Sequence, residues 1–231
     1  MSVETPSTRE RILRAAADLL TQGGREAVST RAVGAAAGVQ APTLYRLFGD
    51  KDGLLAAVAS YGFEEYLSAK RAQGRSGDPV ADLRRGWDLH VDFGLSRPAF
   101  YVLMYGDARP GAGSPAARES ERILAGLIGR IAAAGRLRLP VDRAARMVHA
   151  ASVGVTLALI ATDPGARDPE LSILTREAVL GAITTDPPGD GGGAGVAGRA
   201  VALQAALAPD DPRLTPGERT LLAEWLDRLS R

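Results

Sequence analysis

Ser29 to Leu55 reads STRAVGAAAGVQAPTLYRLFGDKDGLL. The spacing predicts a helix from Ser29 to Gly38, a tight turn at Gly38-Val39-Gln40, and a second helix from about Ala41 to Phe48. Glycine enters the left-handed backbone region without steric cost, and Val39 can plug the angle between two crossing helices. Gly34 and the alanines at 35 to 37 keep the first of these helices thin, so the next can cross it closely. On that next helix Leu44 and Leu47 or Phe48 face inward. Gln40, Ala41, Thr43, Tyr45 and Arg46 are left for the outer face, as in a helix-turn-helix that presents a recognition helix to a major groove.

Helix punctuation continues in both directions. Ser7-Thr8-Arg9-Glu10 is a capping box, followed by an apolar face of Ile12, Leu13, Ala16, Leu19 and Leu20 and a stop at Gly23-Gly24. Asp50 caps a long fourth helix that runs to about Ala72, where a polar stretch from Gln73 to Gly77 breaks it. Asp78-Pro79 and Ser114-Pro115 each set a cap residue before a proline at the first helical position, and Ser96-Arg97-Pro98 is a looser version. Helices are expected at about 79–94, 98–105, 115–134, 141–162 and 169–184. A glycine-rich linker follows from Asp186 to Gly195. Two more helices are expected, at about 197–207 and 216–229, the last opened by the capping box Thr215-Pro216-Gly217-Glu218. Strand-like alternation is scarce, and the chain reads as all-α.

From Arg11 to Val58 the sequence resembles the TetR family of one-component regulators. The likeness rests on Ile12-Leu13 and Ala15-Ala16, the Gly38-Val39 turn, Thr43-Leu44-Tyr45 with Phe48, and Lys51-Asp52 followed by Leu54-Leu55. It implies three N-terminal helices that bind DNA and a fourth that joins them to an all-α domain for ligand binding and dimerisation. It further implies that Ser29 and Thr30 contact phosphate at a helix N-terminus, that Tyr45 packs on the DNA backbone, and that Lys51 anchors a phosphate. Gln40, Thr43 and Arg46 are the side chains able to reach base edges. Ala41 stands beside them on the same face but cannot hydrogen-bond a base, so shape and methyl contacts carry more of the readout.

The 231 residues hold 28 basic and 27 acidic side chains, for a formal net charge of +1, with no cysteine. Disulfides, zinc-cysteine sites and thiol chemistry are thereby excluded, and the cysteine-free chain fits a cytoplasmic setting. The near-neutral charge lacks the basic footprint of many nucleic-acid binders. Residues 1–52 carry seven basic side chains (Arg9, Arg11, Arg14, Arg25, Arg31, Arg46, Lys51) and six acidic ones (Glu4, Glu10, Asp18, Glu26, Asp50, Asp52). Specific binding is therefore expected to depend on a dimer. The N-terminus has no signal-like apolar region. The longest apolar run, Ala150 to Ala161, is shorter than the roughly 20 residues a bilayer crossing needs, so no membrane partner is expected.

Beyond the fourth helix, Trp87 to Tyr105 reads WDLHVDFGLSRPAFYVLMY, similar to the middle of some TetR-type ligand domains. A mostly apolar pocket for a small molecule is expected from Trp87, His90, Phe100, Tyr101, Met104, Tyr105 and His149, the last on a later helix. The helices at 141–162 and 169–184 fit the family's dimer surface, with Met147, Ala151, Gly154, Val155 and Ala158 as candidate contacts. The expected domains are 1–52 for DNA, 53–185 for ligand and dimer, and 186–231 as linker and helical extension. In that extension Leu221, Leu222, Trp225, Leu226 and Leu229 form an amphipathic stripe.

Catalysis finds little support. Gly193-Ala194-Gly195-Val196-Ala197-Gly198 spells G-x-G-x-x-G, but Asp186-Pro187-Pro188-Gly189-Asp190 precedes it where a dinucleotide fold requires a strand. His90 and His149 lack metal-ligand spacing, so no enzyme activity, metal or cofactor is expected. The reading is a ligand-responsive repressor that binds a palindromic DNA operator as a homodimer. The alternative is an all-α ligand-binding or scaffolding protein whose helix-turn-helix does not bind DNA.

Overall fold

The structure, a computed structural model, describes residues 6–72, 74–106, 115–185, 196–208 and 211–230, without the side chains at positions 65 and 116. The linker at 186–195, and with it the first glycines of the G-x-G-x-x-G stretch, lies outside the described residues. So does the expected cap at Ser114.

The helices in chain order are α1 (Thr8–Ala27), α2 (Thr30–Ala37), α3 (Ala41–Phe48), α4 (Lys51–Ala72), α5 (Pro79–Ser96), α6 (Pro98–Tyr105), α7 (Pro115–Ala133), α8 (Val141–Ala161), α9 (Glu170–Ile183), α10 (Val196–Ala206) and α11 (Pro216–Leu229). The capping chemistry explains why their ends fall where the sequence places them. Ser7 Oγ accepts the Glu10 N–H at 3.2 Å, and Glu10 Oε2 accepts the Ser7 N–H at 2.7 Å. Thr215 and Glu218 repeat this box at the start of α11. Each such cap contributes about 1 kcal/mol. Gly23 and Gly24 leave the helical region inside α1, Gly24 at φ +65°, so the long first helix ends there and a final turn runs on to Ala27. A short 3-10 turn at Pro164–Ala166 and an isolated bridge between Leu137 and Thr184 are the additions that periodicity did not foreshadow.

By packing, the chain divides into two compact units. One holds residues 1–72 and 92–119; the other holds 73–91 and 120–231. The division differs from the expected functional domains because α4 and α6 both pack with α1.

In the first unit α1 packs on α2, α4 and α6, α3 sits on α2 and α4, and α6 packs on α4. Ile12, Leu13, Ala16, Leu20, Val28, Val33, Leu44, Leu54 and Val58 are buried there. The far end of α4 joins an aromatic cluster. Phe63 lies 4.5 Å from Tyr66 and 5.2 Å from Phe93 between ring centroids, and Tyr101 lies 4.8 Å from Tyr105. Lys70 Nζ stands 5.1 Å from the centre of the Tyr66 ring, and burial draws its ammonium pKa down to about 8.

In the second unit α8 packs on α9, and α10 on α11. The start of α5 is tied to α9 by Arg84, whose Nε and Nη2 donate to Glu177 at 3.0 and 2.8 Å, and by Trp87 Nε1, which donates to Ser172 Oγ at 3.0 Å. Asp82 is a buried charge of this unit, 1% exposed. Its carboxylate accepts Ser76 Oγ–H at 2.6 Å, pairs with Arg130 at 2.6 Å and meets Arg85. Burial alone would raise its pKa, but the bonds from Ser76, Arg130 and Arg85 outweigh that and hold it at about 2.

Helix α8 spans the range expected for it and is, by length and composition only, long and apolar enough to cross a membrane, with a third of its most apolar window buried. From Ala150 onward the exposed residues of that helix are the small ones Ala150, Gly154, Ala158 and Ala161.

Candidate nucleic-acid interface

The first contact surface is built by α2, the turn and α3. Ser29 caps α2: its Oγ accepts the Ala32 N–H at 3.1 Å, which leaves the hydroxyl proton able to donate to a phosphate. Thr30 is the first residue of the helix and half-buried. Gly38 closes α2 at φ +65°, and the Val39 N–H returns to the Gly34 carbonyl at 2.9 Å. A side chain at Gly34 would put its Cβ 2.9 Å from the Val39 carbonyl oxygen. The tight turn therefore depends on glycine at two positions.

Helix α3 is anchored by Leu44, which is 2% exposed. Gln40 is the N-cap residue but makes no side-chain cap bond, so its amide is not spent on the helix. Gln40, Ala41 and Arg46 are exposed, Tyr45 is 53% exposed, and Thr43 is half-buried. Of the two alternatives for the inner face, Phe48 is the one turned in. It is half-buried with the Arg9 guanidinium 5.5 Å above its ring. Leu47 stays 36% exposed, because a residue three positions after Leu44 lies farther from its face than one four positions after. Leu47 and Pro42 thus join the outer surface, although no polar character marks either of them for it.

The step from α3 to α4 is equally constrained. A Cβ at Gly53 would stand 2.1 Å from the Phe48 carbonyl oxygen. The Gly53 N–H donates instead to Asp50 Oδ1 at 2.7 Å, and Lys51 is left exposed at the helix start. The acidic residues nearby are occupied within the fold: Glu10 in a capping box, Asp50 as a cap, and Asp52 facing Arg25 at 3.5 Å. Tyr45, Arg46 and Lys51 stand on the exposed surface.

The expected ligand residues fall in both units. Phe100, Tyr101, Met104 and Tyr105 lie on α6 in the first, with Phe100 and Tyr101 buried and the other two half-buried. Trp87 and His90 are buried on the part of α5 that belongs to the second unit, where His149 on α8 stands 3.9 Å from Glu121. The aromatic cluster that sequence reading missed is Phe63, Tyr66 and Phe93, which reaches Tyr101 through Phe93 at 6.3 Å between ring centroids. Their spacing along α4 and α5 looks like ordinary core, and nothing in one dimension shows that they share a cluster.

The expected dimer residues also separate. Met147, Gly154 and Ala158 are exposed on α8, and Ala151 is half-buried beside them. Val155 is 7% exposed and points with Val148, Ser152 and Leu159 into its own unit. It follows Ala151 by one turn, but the 100° advance per residue also sets it one step past Gly154, on the buried side.

These features define a helix-turn-helix protein of all-α architecture. Residues 12–58 match the model of the bacterial regulatory proteins of the tetR family. The fold is similar to that of a TetR family transcriptional regulator, PfmR, from Thermus thermophilus, at 25% identity and a TM-score of 0.53, over 76% of this chain and 97% of that one. It is also similar to a tetR family regulator from Shewanella sp. PV-4 (20% identity, TM-score 0.62, 78% of this chain and 100% of that one). A third solved structure, FadR from Bacillus subtilis in complex with stearoyl-CoA, is 15% identical with a TM-score of 0.59, over 74% of this chain and 95% of that one. No curated protein matches the chain in sequence. Residues 12–58 thus resemble the DNA-binding domain of the tetR family, and the fold of the described residues is similar to that of solved TetR family regulators.

Proposed function

We propose that this chain is a homodimeric transcriptional repressor that binds a palindromic operator and leaves it when a small, mostly apolar molecule binds. The observation that carries the DNA-binding part is the exposed surface made by Gln40, Tyr45 and Arg46 on α3 with Lys51 at the start of α4. Ser29 and Thr30 supply a helix N-terminus for phosphate, and Gln40, Thr43 and Arg46 read bases, with Ala41 offering only a methyl contact.

Dimerisation is supported by an open apolar strip on α8 and α9. Met147, Gly154 and Ala158 are exposed, Ala151 half-exposed, and Leu171, Ile173 and Leu174 are 39%, 49% and 62% exposed. Small residues permit close helix approach, and the larger ones supply area. In the DNA-competent dimer the two recognition helices stand about 34 Å apart, one turn of DNA. A ligand favours the other spacing only by its differential affinity for that state. Tyr101, Met104 and Tyr105 on α6, with the aromatic cluster around Tyr101, are the contacts proposed for its apolar body. The stearoyl-CoA bound by FadR is an apolar-chain ligand of that protein and supports a ligand of this general class. No catalytic step is part of this reading, and the protein acts in the cytoplasm, where its operator is.

Selection of bound sequences from a random DNA pool tests it. Enrichment of a two-fold symmetric site is expected. Failure to enrich any sequence favours the alternative, a scaffolding or ligand-binding protein whose exposed Ala41 and Pro42 leave α3 without base readout.

A further inference from the structure

Two aliphatic side chains larger than alanine are exposed on α3, Pro42 and Leu47, the second at 36%. A helix turns about 100° per residue, which sets Pro42, Arg46, Thr43 and Leu47 in that order along one arc of roughly 140°. The arc lies on the side away from Leu44, the buried residue of this helix. Arg46 and Thr43, in the middle, hold its hydrogen-bonding groups, and the two edges offer only carbon. Pro42 is the second residue of α3, where a first-turn N–H has no partner inside the helix and its loss is tolerated. It therefore presents a base with neither a polar side-chain atom nor a backbone donor.

In the major groove every base edge presents hydrogen-bond donors or acceptors, and thymine alone adds a methyl group. An aliphatic side chain pressed on any other edge strips water from a polar group and leaves it unpaired. On thymine the same side chain covers a methyl instead. We propose that Pro42 and Leu47 are specificity residues that read thymine through its 5-methyl group, one at each edge of the recognition face. Each half-site then carries two such thymines, flanking the base pairs within reach of Arg46 and Thr43. This rests on the reading of α3 as the DNA-facing helix and names the bases that its apolar edges select.

The test uses the site that the full chain enriches from the random DNA pool. Each thymine of one half-site is replaced in turn by deoxyuridine, which keeps every hydrogen-bonding group and lacks only the methyl. Fluorescence anisotropy reads the affinity. Two positions should each lose about fourfold, the factor for leaving one methyl-sized group uncovered. Leu47→Ala should abolish the loss at one of these positions and keep it at the other, and Pro42→Ala should do the reverse. General damage to the helix would instead weaken thymine and deoxyuridine sites by the same factor, and the scan with the natural protein does not depend on either variant. An enriched site that changes less than twofold at every deoxyuridine, or whose methyl sensitivity persists in both variants, would overturn the proposal while leaving α3 as the DNA-binding helix. Failure to enrich any site would overturn that assignment, and the proposal with it.

Discussion

The Phe100 ring occupies the space that a side chain at position 62 would need: a Cβ on Gly62 would stand 2.1 Å from Phe100 Cδ1 and 2.2 Å from Cε1. Glycine inside a helix costs about 0.5–1 kcal/mol relative to alanine. Here that cost is offset by the close approach of α6 to α4 and by the burial of a phenyl ring.

A double-mutant cycle measures this contact. Gly62→Ala alone should destabilise the protein by about 1–3 kcal/mol through overpacking. In a Phe100→Ala background, where the ring is gone, the same change should cost nothing or stabilise. Urea denaturation of the four proteins reads the coupling, and simple additivity would show that the ring moves aside freely.

Tyr45→Ala and Lys51→Ala should each lower operator affinity about tenfold and leave the oligomeric state unchanged. Lys51→Ala should also reduce the slope of log K against log salt by about one per subunit, as loss of one phosphate contact requires. Fluorescence anisotropy at several salt concentrations checks both. Full affinity in the two variants would remove the assigned face from DNA recognition.

The exposed strip on α8 and α9 predicts that Gly154→Glu and Leu174→Lys each convert a dimer to monomer without unfolding the chain. Light scattering coupled to gel filtration reports the mass directly. A dimer that survives both charges would place the subunit interface elsewhere.

Asp82 predicts an acid-sensitive clamp. Its pKa in the folded protein is about 2, below the ordinary aspartate value near 3.9. The stability it contributes is therefore present above pH about 4 and is lost as pH falls toward 2. Asp82→Asn should cost roughly 2–4 kcal/mol at pH 7, since it leaves Arg130 and Arg85 with a neutral partner in a buried setting. The difference from the natural protein should shrink between pH 4 and pH 2, measured by urea denaturation. A constant difference across that range would mean the carboxylate is not charged in the fold.

How much of this was legible in one dimension depended on the kind of signal. Caps and breakers act within three or four residues, so Ser7, Ser29, Gly38, Asp50 and Thr215 marked helix ends that the structure places within a residue or two. The outer face of α3 was legible for the same reason, because a helix repeats every 3.6 residues and Leu44 identifies the inside. Where two periodic assignments were nearly equal, as for Leu47 against Phe48, the sequence left the choice to packing.

By itself the sequence determined an all-α chain, its helix boundaries, and a helix-turn-helix near its N-terminus, because these follow from local backbone chemistry. Tertiary structure alone decided which distant residues meet. It set Phe100 against Gly62, gathered Phe63, Tyr66 and Phe93 into one cluster that meets Tyr101 through Phe93, turned Val155 inward, and surrounded Asp82 with Ser76, Arg85 and Arg130. Such contacts arise from helices crossing at particular angles and depths, which depend on side-chain volumes summed over several elements. No local pattern encodes that sum.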